Sequence, residues 1–90
     1  MSPTPSERKL EARAALCGAG LRRVREKMGM GLRYASRRAS VDPGHLSRVE
    51  RGKGAASMAV LEMLATGYGF VSVKLMLKRA ENLANRGGGG

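Results

Sequence analysis

Residues 32–52 constrain the fold of this chain more than any other segment, because two short helical patterns lie there on either side of a tight turn. The first pattern covers residues 32–39, and the small residues on its inward face allow another helix to approach closely. The second begins at Asp42-Pro43, since aspartate is a good N-cap and proline suits the first helical position. Gly52 ends it. The segment therefore predicts two packed helices joined by a turn at Ser40-Val41.

The chain is strongly basic, with 17 Lys and Arg against 7 Asp and Glu in 90 residues and a formal net charge of +10. Such an excess favours a polyanion as partner, which means nucleic acid or, less favoured, an anionic membrane surface. The aromatic residues Tyr34, Tyr68 and Phe70 are scattered. Aromatic platforms that stack on single-stranded bases are therefore poorly supported.

The chain lacks residues that several classes of protein require. Cys17 and His45 are the only residues of their types, so no intrachain disulfide can form and a zinc site is not expected. The chain lacks a Cys–His or Ser–His–Asp set, and the glycines at 87–90 are not followed by the Lys-Ser/Thr of a phosphate-binding loop. We therefore expect no enzyme, no metal and no cofactor.

The expected location is the cytoplasm. No apolar run approaches the roughly 20 residues that a membrane span needs, and residues 1–6 lack the basic-then-apolar order of a signal peptide. Cys17 is then expected to be reduced and buried as a small apolar residue.

The remaining segments indicate a single all-α domain over residues 6–86. A helical pattern begins at Ser6, and Gly18 and Gly20 interrupt it, which leaves either two helices or one bent helix. Ser57 and Ser72 each cap a later helical pattern, and the last pattern covers about 73–85. No strand alternation is present. We expect a disordered segment at 1–5 and a flexible glycine tail at 87–90.

Three pieces of the chain resemble the lambda-repressor-like, or Xre-type, helix-turn-helix family. They are Gly18-Ala-Gly-Leu-Arg-Arg-Val-Arg-Glu, Gly29-Met-Gly-Leu-Arg-Tyr-Ala and Pro43-Gly-His-Leu-Ser-Arg-Val-Glu-Arg-Gly52, and the match extends from Gly18 to about Leu75. The resemblance implies a compact five-helix DNA-binding domain, here with an N-terminal helical extension. Members of the family are mostly bacterial, phage and plasmid transcription regulators that bind operators as dimers.

Four positions depart from the family pattern. Gly31 stands where a polar helix cap is usual, Ala35 where leucine is usual, and Ser36 where alanine is usual. Ser40 occupies the turn position that is commonly glycine, and serine tolerates a positive φ less well. These changes thin the core beneath the motif without altering the surface that would face DNA.

The recognition helix of such a unit, here about 43–51, presents its N-terminal residues to base edges in the major groove. Arg48 is the main candidate, because a guanidinium can bond guanine O6 and N7 together. His45 contacts a base or a phosphate, or it is simply exposed, and Asp42 is a cap more than a base contact. Gly44 allows close approach of the backbone. The base-reading candidates are thus Arg48, His45, Gly44 and Asp42.

A second group of residues is expected to contact phosphates, which position the protein without reading sequence. The candidates are Arg33, Ser47, Arg51, Lys53, Arg37 and Arg38. For Arg37 and Arg38 an equal alternative is that their charge serves only solubility, and for Ser47 the alternative is an ordinary surface residue. The family resemblance further implies that Glu50 pairs with Arg25 and braces the recognition helix from behind.

The first functional hypothesis is a sequence-specific regulator of transcription that binds a double-stranded DNA operator, as a dimeric repressor of phage, plasmid or integrative-element type. Homodimerisation is expected through the fifth helix of the family fold, about 73–85, with the N-terminal segment as a further contributor. The alternative is an antitoxin that binds its own operator and a toxin protein. A third possibility is an RNA-binding or nucleoid-coating protein with weak sequence preference.

Overall fold

The computed structural model describes the backbone of residues 2–88 and the side chains of residues 2–85. This part of the chain contains six α-helices and no strand, so the all-α class is confirmed. Its radius of gyration of 12.0 Å is that of a compact domain of this length. The helices are α1 Pro5–Leu16, α2 Gly18–Lys27, α3 Leu32–Ala39, α4 Pro43–Glu50, α5 Met58–Gly67 and α6 Val73–Gly88.

Both ends of the described chain are more regular than the sequence predicted. Helix α1 starts at Pro5, because Thr4 and Glu7 form a reciprocal capping box with bonds of 2.9 and 3.1 Å. The disorder expected at 1–5 is therefore wrong for Thr4 and Pro5, and residue 1 lies outside the described residues. Helix α6 continues to Gly88. The flexible tail expected at 87–90 is thus wrong for 87 and 88, and 89–90 also lie outside the described residues.

Helix α1 is attached to the rest of the domain by polar contacts. Arg13 donates two hydrogen bonds to Glu81 on α6, at 2.8 and 2.9 Å. This contact raises the pKa of Arg13 and lowers the pKa of Glu81. The Glu11 carboxylate accepts a bond of 2.8 Å from the backbone N–H of Met58 and so caps the start of α5. The N-terminal helix is therefore integrated into the domain.

Gly18 and Gly20 lie inside α2, and the break between α1 and α2 falls at Cys17. A Cβ atom at Gly18 would overlap the carbonyl oxygen of Val49 on α4, and one at Gly20 would overlap that of Ala80 on α6. The two glycines therefore allow the α2 backbone to touch two neighbouring helices. The break at Cys17, whose φ is -120° and ψ 32°, decides between the two alternatives left by the sequence, two helices or one bent helix, in favour of two.

The C-terminal ends of α2, α3, α4 and α5 share one geometry. In each, a residue with positive φ follows the last turn, and the next residue's N–H bonds a carbonyl five positions back. Three of these positive-φ positions are glycine, and the fourth is Ser40 with φ 59°. The residues that follow α2, α3 and α5 point into the core, so the turns also fix where the chain enters the next helix. They are Met30, Val41 and Phe70.

The core draws apolar side chains from all six helices, and the small residues predicted to face inward on α3 are buried as expected. Burial of Cys17 is confirmed, and it raises the pKa of the thiol to about 11. Two buried hydroxyl groups, those of Ser36 and Tyr68, have no hydrogen-bond partner in the described part of the chain. The largest fully buried apolar side chains are Leu21, Leu46, Leu61, Leu64, Met76 and Leu77.

Two features are absent from residues 2–88. No helix in this range is both long and apolar enough to cross a membrane. No group of three or more His, Cys, Asp or Glu residues in the same range could hold a metal ion.

Candidate nucleic-acid interface

Helices α3 and α4, with the turn between them, form the two-helix unit that residues 32–52 predicted. The N-cap prediction for Asp42 is confirmed, because its carboxylate accepts a 3.1 Å bond from the backbone N–H of His45. Pro43 is the first residue of α4. The rear face of α4 is buried through Leu46, Val49 and Glu50. The opposite face of this short helix includes the exposed residues Gly44 and Arg48.

Arg25 and Glu50 fasten this unit to α2. The Arg25 Nε and Nη2 atoms donate to the Glu50 carboxylate at 2.8 and 2.9 Å, and Nη1 donates to the carbonyl of Met30 at 2.9 Å. The exposed fractions of the two side chains are 10% and 4%, and the hydrogen bond that Arg25 donates to Glu50 raises the pKa of Arg25. Since all three guanidinium nitrogens are bonded, Arg25 ties α4 to α2 and to the loop before α3.

The base-reading candidates lie around the start and the outer face of α4. Arg48 is exposed, and its Cβ packs beside Gly54, where an added Cβ would come within 3.2 Å. His45 is half-buried. Gly44 is exposed, and a Cβ there would lie 3.0 Å from the Asp42 carboxylate. Arg48 is thus exposed to solvent, whereas the Asp42 carboxylate is used as the N-cap of α4.

The phosphate-contact candidates divide by the partners that they have. Arg33, Arg37 and Lys53 are exposed. Arg51 makes only a long 3.4 Å contact to the backbone carbonyl of Ser47. Arg38 differs, because its Nε donates at 2.7 Å to the carbonyl of Gly67 at the end of α5. Arg38 therefore has a structural role that the sequence did not reveal.

A cleft of about 210 Å³ lies between α2, α3 and α4. Its lining includes Arg22, Arg25 and Arg51 together with the acidic Glu50, and Leu32 places the first turn of α3 at its edge. Gly31 gives that turn no side-chain cap, so the first amides of α3 are open to an anion. Sequence analysis missed Arg22. Its spacing of three residues from Arg25, which puts both on one face of α2, is the signal that could have found it.

Comparison with known proteins identifies one family. A protein-family model described as a helix-turn-helix domain matches residues 18–76, which is more than half of the chain. The match begins at the first residue of α2, so α1 lies outside it. No curated protein and no solved structure matches the chain significantly.

Proposed function

Because the chain belongs to the helix-turn-helix domain family, we propose that it is a sequence-specific DNA-binding regulator of transcription. It acts as a dimeric repressor of phage, plasmid or integrative-element type. Occupying an operator is enough to block a promoter, so repression needs no surface beyond the DNA-binding unit and its dimer contact. In this proposal α2 to α6 correspond to the five helices of the lambda-repressor-like fold, and α1 is an N-terminal extension.

The observation that carries the proposal is the two-sided character of α4. Its rear face is buried and held by Glu50, whereas its outer face presents Arg48 to solvent. A helix held in this way can enter the major groove without losing its own contacts with the domain. Arg48 then bonds guanine O6 and N7, which is worth about 1–3 kcal/mol of discrimination against other bases. Beside Arg48, the start of α4 contributes His45, Gly44 and Asp42 to the same surface.

Phosphates on either side of the groove are bound by the basic residues that flank α4. Arg33 and the open amides of α3 contact one strand, and Arg51 and Lys53, which follow α4, contact the backbone on the other side. The neighbouring cleft adds a phosphate site at which Arg22 and Arg51 offer their guanidinium groups, since Arg25 is already paired with Glu50. Ser47 and Arg37 are further phosphate contacts of the same surface.

The decisive experiment selects bound sites from random duplex DNA. We expect enrichment of a palindromic motif whose half-sites lie about 34 Å apart, because each copy of the domain reads one half-site. The affinity for that motif should fall steeply with salt, since phosphate contacts release counterions. Absence of any enriched motif, with equal affinity for unrelated duplexes, contradicts the proposal.

A further inference from the structure

A second cleft lies away from the α3–α4 unit. Its volume is about 510 Å³, and it opens between α1, α5 and the start of α6. Apolar side chains line most of it, including Leu10, Met58, Phe70 and Val73. Leu10 belongs to α1, outside the residues matched by the family model. The cleft is therefore completed by the helix that the family model does not include.

Exposed apolar residues continue from this cleft onto the surface. Val71, on its lining, is 92% exposed in the loop between α5 and α6. Leu75 lies four residues further along and is 51% exposed. Contiguous apolar surface, unlike a single exposed apolar residue, marks an interaction site, and Val71 joins the apolar lining of the cleft. The arrangement places a projecting side chain next to a cavity that such a side chain can fill.

The cleft also carries two charged residues. Glu62 and Lys74 both line it, carry opposite charges and are exposed. Neither takes part in an ion pair within the described part of the chain. A surface with one apolar projection, one apolar cleft and one unpaired charge of each sign is complementary to itself. In a two-fold dimer, contact of residue i with residue j is always accompanied by contact of j with i.

We infer that a second copy of this chain docks on the cleft. Val71 of each copy enters the cleft of the other, and Glu62 of each copy pairs with Lys74 of the other. The inference rests on the proposed function, because it names the contact by which the dimer on DNA forms. Operator DNA stabilises this dimer by holding two copies together.

The test uses charge reversal in the full chain without DNA. We expect Glu62→Lys and Lys74→Glu, each alone, to be monomeric in sedimentation equilibrium at concentrations where the unaltered chain dimerises. An equimolar mixture of the two variants should restore the dimer, because both inter-chain pairs are then formed between unlike charges. Failure of the mixture to associate, or a wild-type chain that stays monomeric at every concentration, overturns the inference.

A second pair of variants tests the apolar contact at constant charge. Val71→Ser should weaken dimerisation at least tenfold, whereas Leu16→Ser should leave it unchanged, since Leu16 is 90% exposed on α1 and does not line the cleft. Equal effects of the two variants overturn the inference. Binding to a single half-site, measured separately, should be unaltered by Val71→Ser. If the unaltered chain does not bind a half-site, the proposed function is contradicted, whereas the inferred dimer contact is not.

Discussion

Arg25 and Glu50 are joined by two parallel hydrogen bonds between helices that begin 25 residues apart. The third guanidinium nitrogen of Arg25 donates to the Met30 carbonyl. Both side chains are almost fully buried. Removing either partner would leave a charge in the protein interior without its counter-charge, which is far more costly than losing an exposed pair. The position of α4, and with it the surface proposed to read DNA, therefore depends on this contact.

Glu50→Ala is expected to lower the free energy of unfolding by about 3–5 kcal/mol, because the Arg25 guanidinium stays buried without its carboxylate. DNA affinity should fall with it, since α4 loses its attachment to α2. Chemical denaturation followed by circular dichroism measures the first effect, and titration of the selected operator measures the second.

The matched control is Glu26→Ala, which removes the exposed ion pair of Glu26 with Arg22. Such pairs contribute about 0–1 kcal/mol. A Glu50→Ala variant as stable as the Glu26→Ala variant would show that the buried pair does not brace α4.

Ser40→Gly is expected to stabilise the domain by about 0.5–1 kcal/mol, because Ser40 has φ 59° and a Cβ is unfavourable in the left-handed region. The reverse change at an equivalent position is the control. Gly52 has φ 72° and open space around an added Cβ, so Gly52→Ser should destabilise by about 1 kcal/mol through backbone strain alone. Thermal unfolding of the two variants should shift in opposite directions, and a shift in the same direction contradicts the argument.

Ser36→Ala is expected to stabilise the domain by about 1 kcal/mol. The Ser36 hydroxyl is buried in α3 without a hydrogen-bond partner in the described chain, and an unsatisfied buried polar group costs about 1–3 kcal/mol. Tyr68→Phe tests the same principle at the other such hydroxyl. If both substitutions lower the midpoint of urea unfolding, each hydroxyl is satisfied by a bound water and the prediction is wrong.

We expect Arg48→Ala and Lys53→Ala to change DNA binding in different ways. Arg48→Ala should relax the base preference at one position of each half-site, at a cost of about 1–3 kcal/mol for the preferred sequence. Lys53→Ala should weaken binding to all duplexes alike and reduce the salt dependence of binding by about one ion. Repeating the selection and the salt titration on both variants measures the difference. Identical behaviour would mean that the division into base-reading and phosphate-contacting residues is incorrect.

The domain should lose stability in alkaline solution. Burial raises the pKa of Cys17 to about 11 and that of Tyr68 to about 12, whereas an unfolded cysteine has a pKa of about 8.5. The folded chain therefore holds its thiol proton more tightly, and stability is retained below pH 8.5 and lost as pH rises towards 11. In Cys17→Ala the midpoint of thermal unfolding should fall less between pH 9 and 11. Parallel pH curves for the two proteins would contradict this cause.

The elements that depend on neighbouring residues were predictable from the sequence. Asp42-Pro43 and Gly52 marked both ends of α4, since capping and left-handed turns are decided within a few residues. The limits of α3 were predicted equally well. The start of α1 was missed, although Thr4 and Glu7 stand at capping-box spacing, because the Pro/Ser/Thr-rich composition was interpreted as disorder. The residues proposed to face DNA followed from the same local pattern together with the family resemblance.

What the sequence alone determined is the helical class, the two-helix unit at 32–52 and its basic character, because propensity, capping and charge are properties of nearby residues. Only the tertiary structure decided why Gly18 and Gly20 lie inside α2, where Arg38 donates its hydrogen bond, and that Arg22 shares a cleft with Arg51. Each of these depends on which backbone passes close by in space. Packing brings together atoms from helices far apart in the chain, and no local pattern specifies those distances.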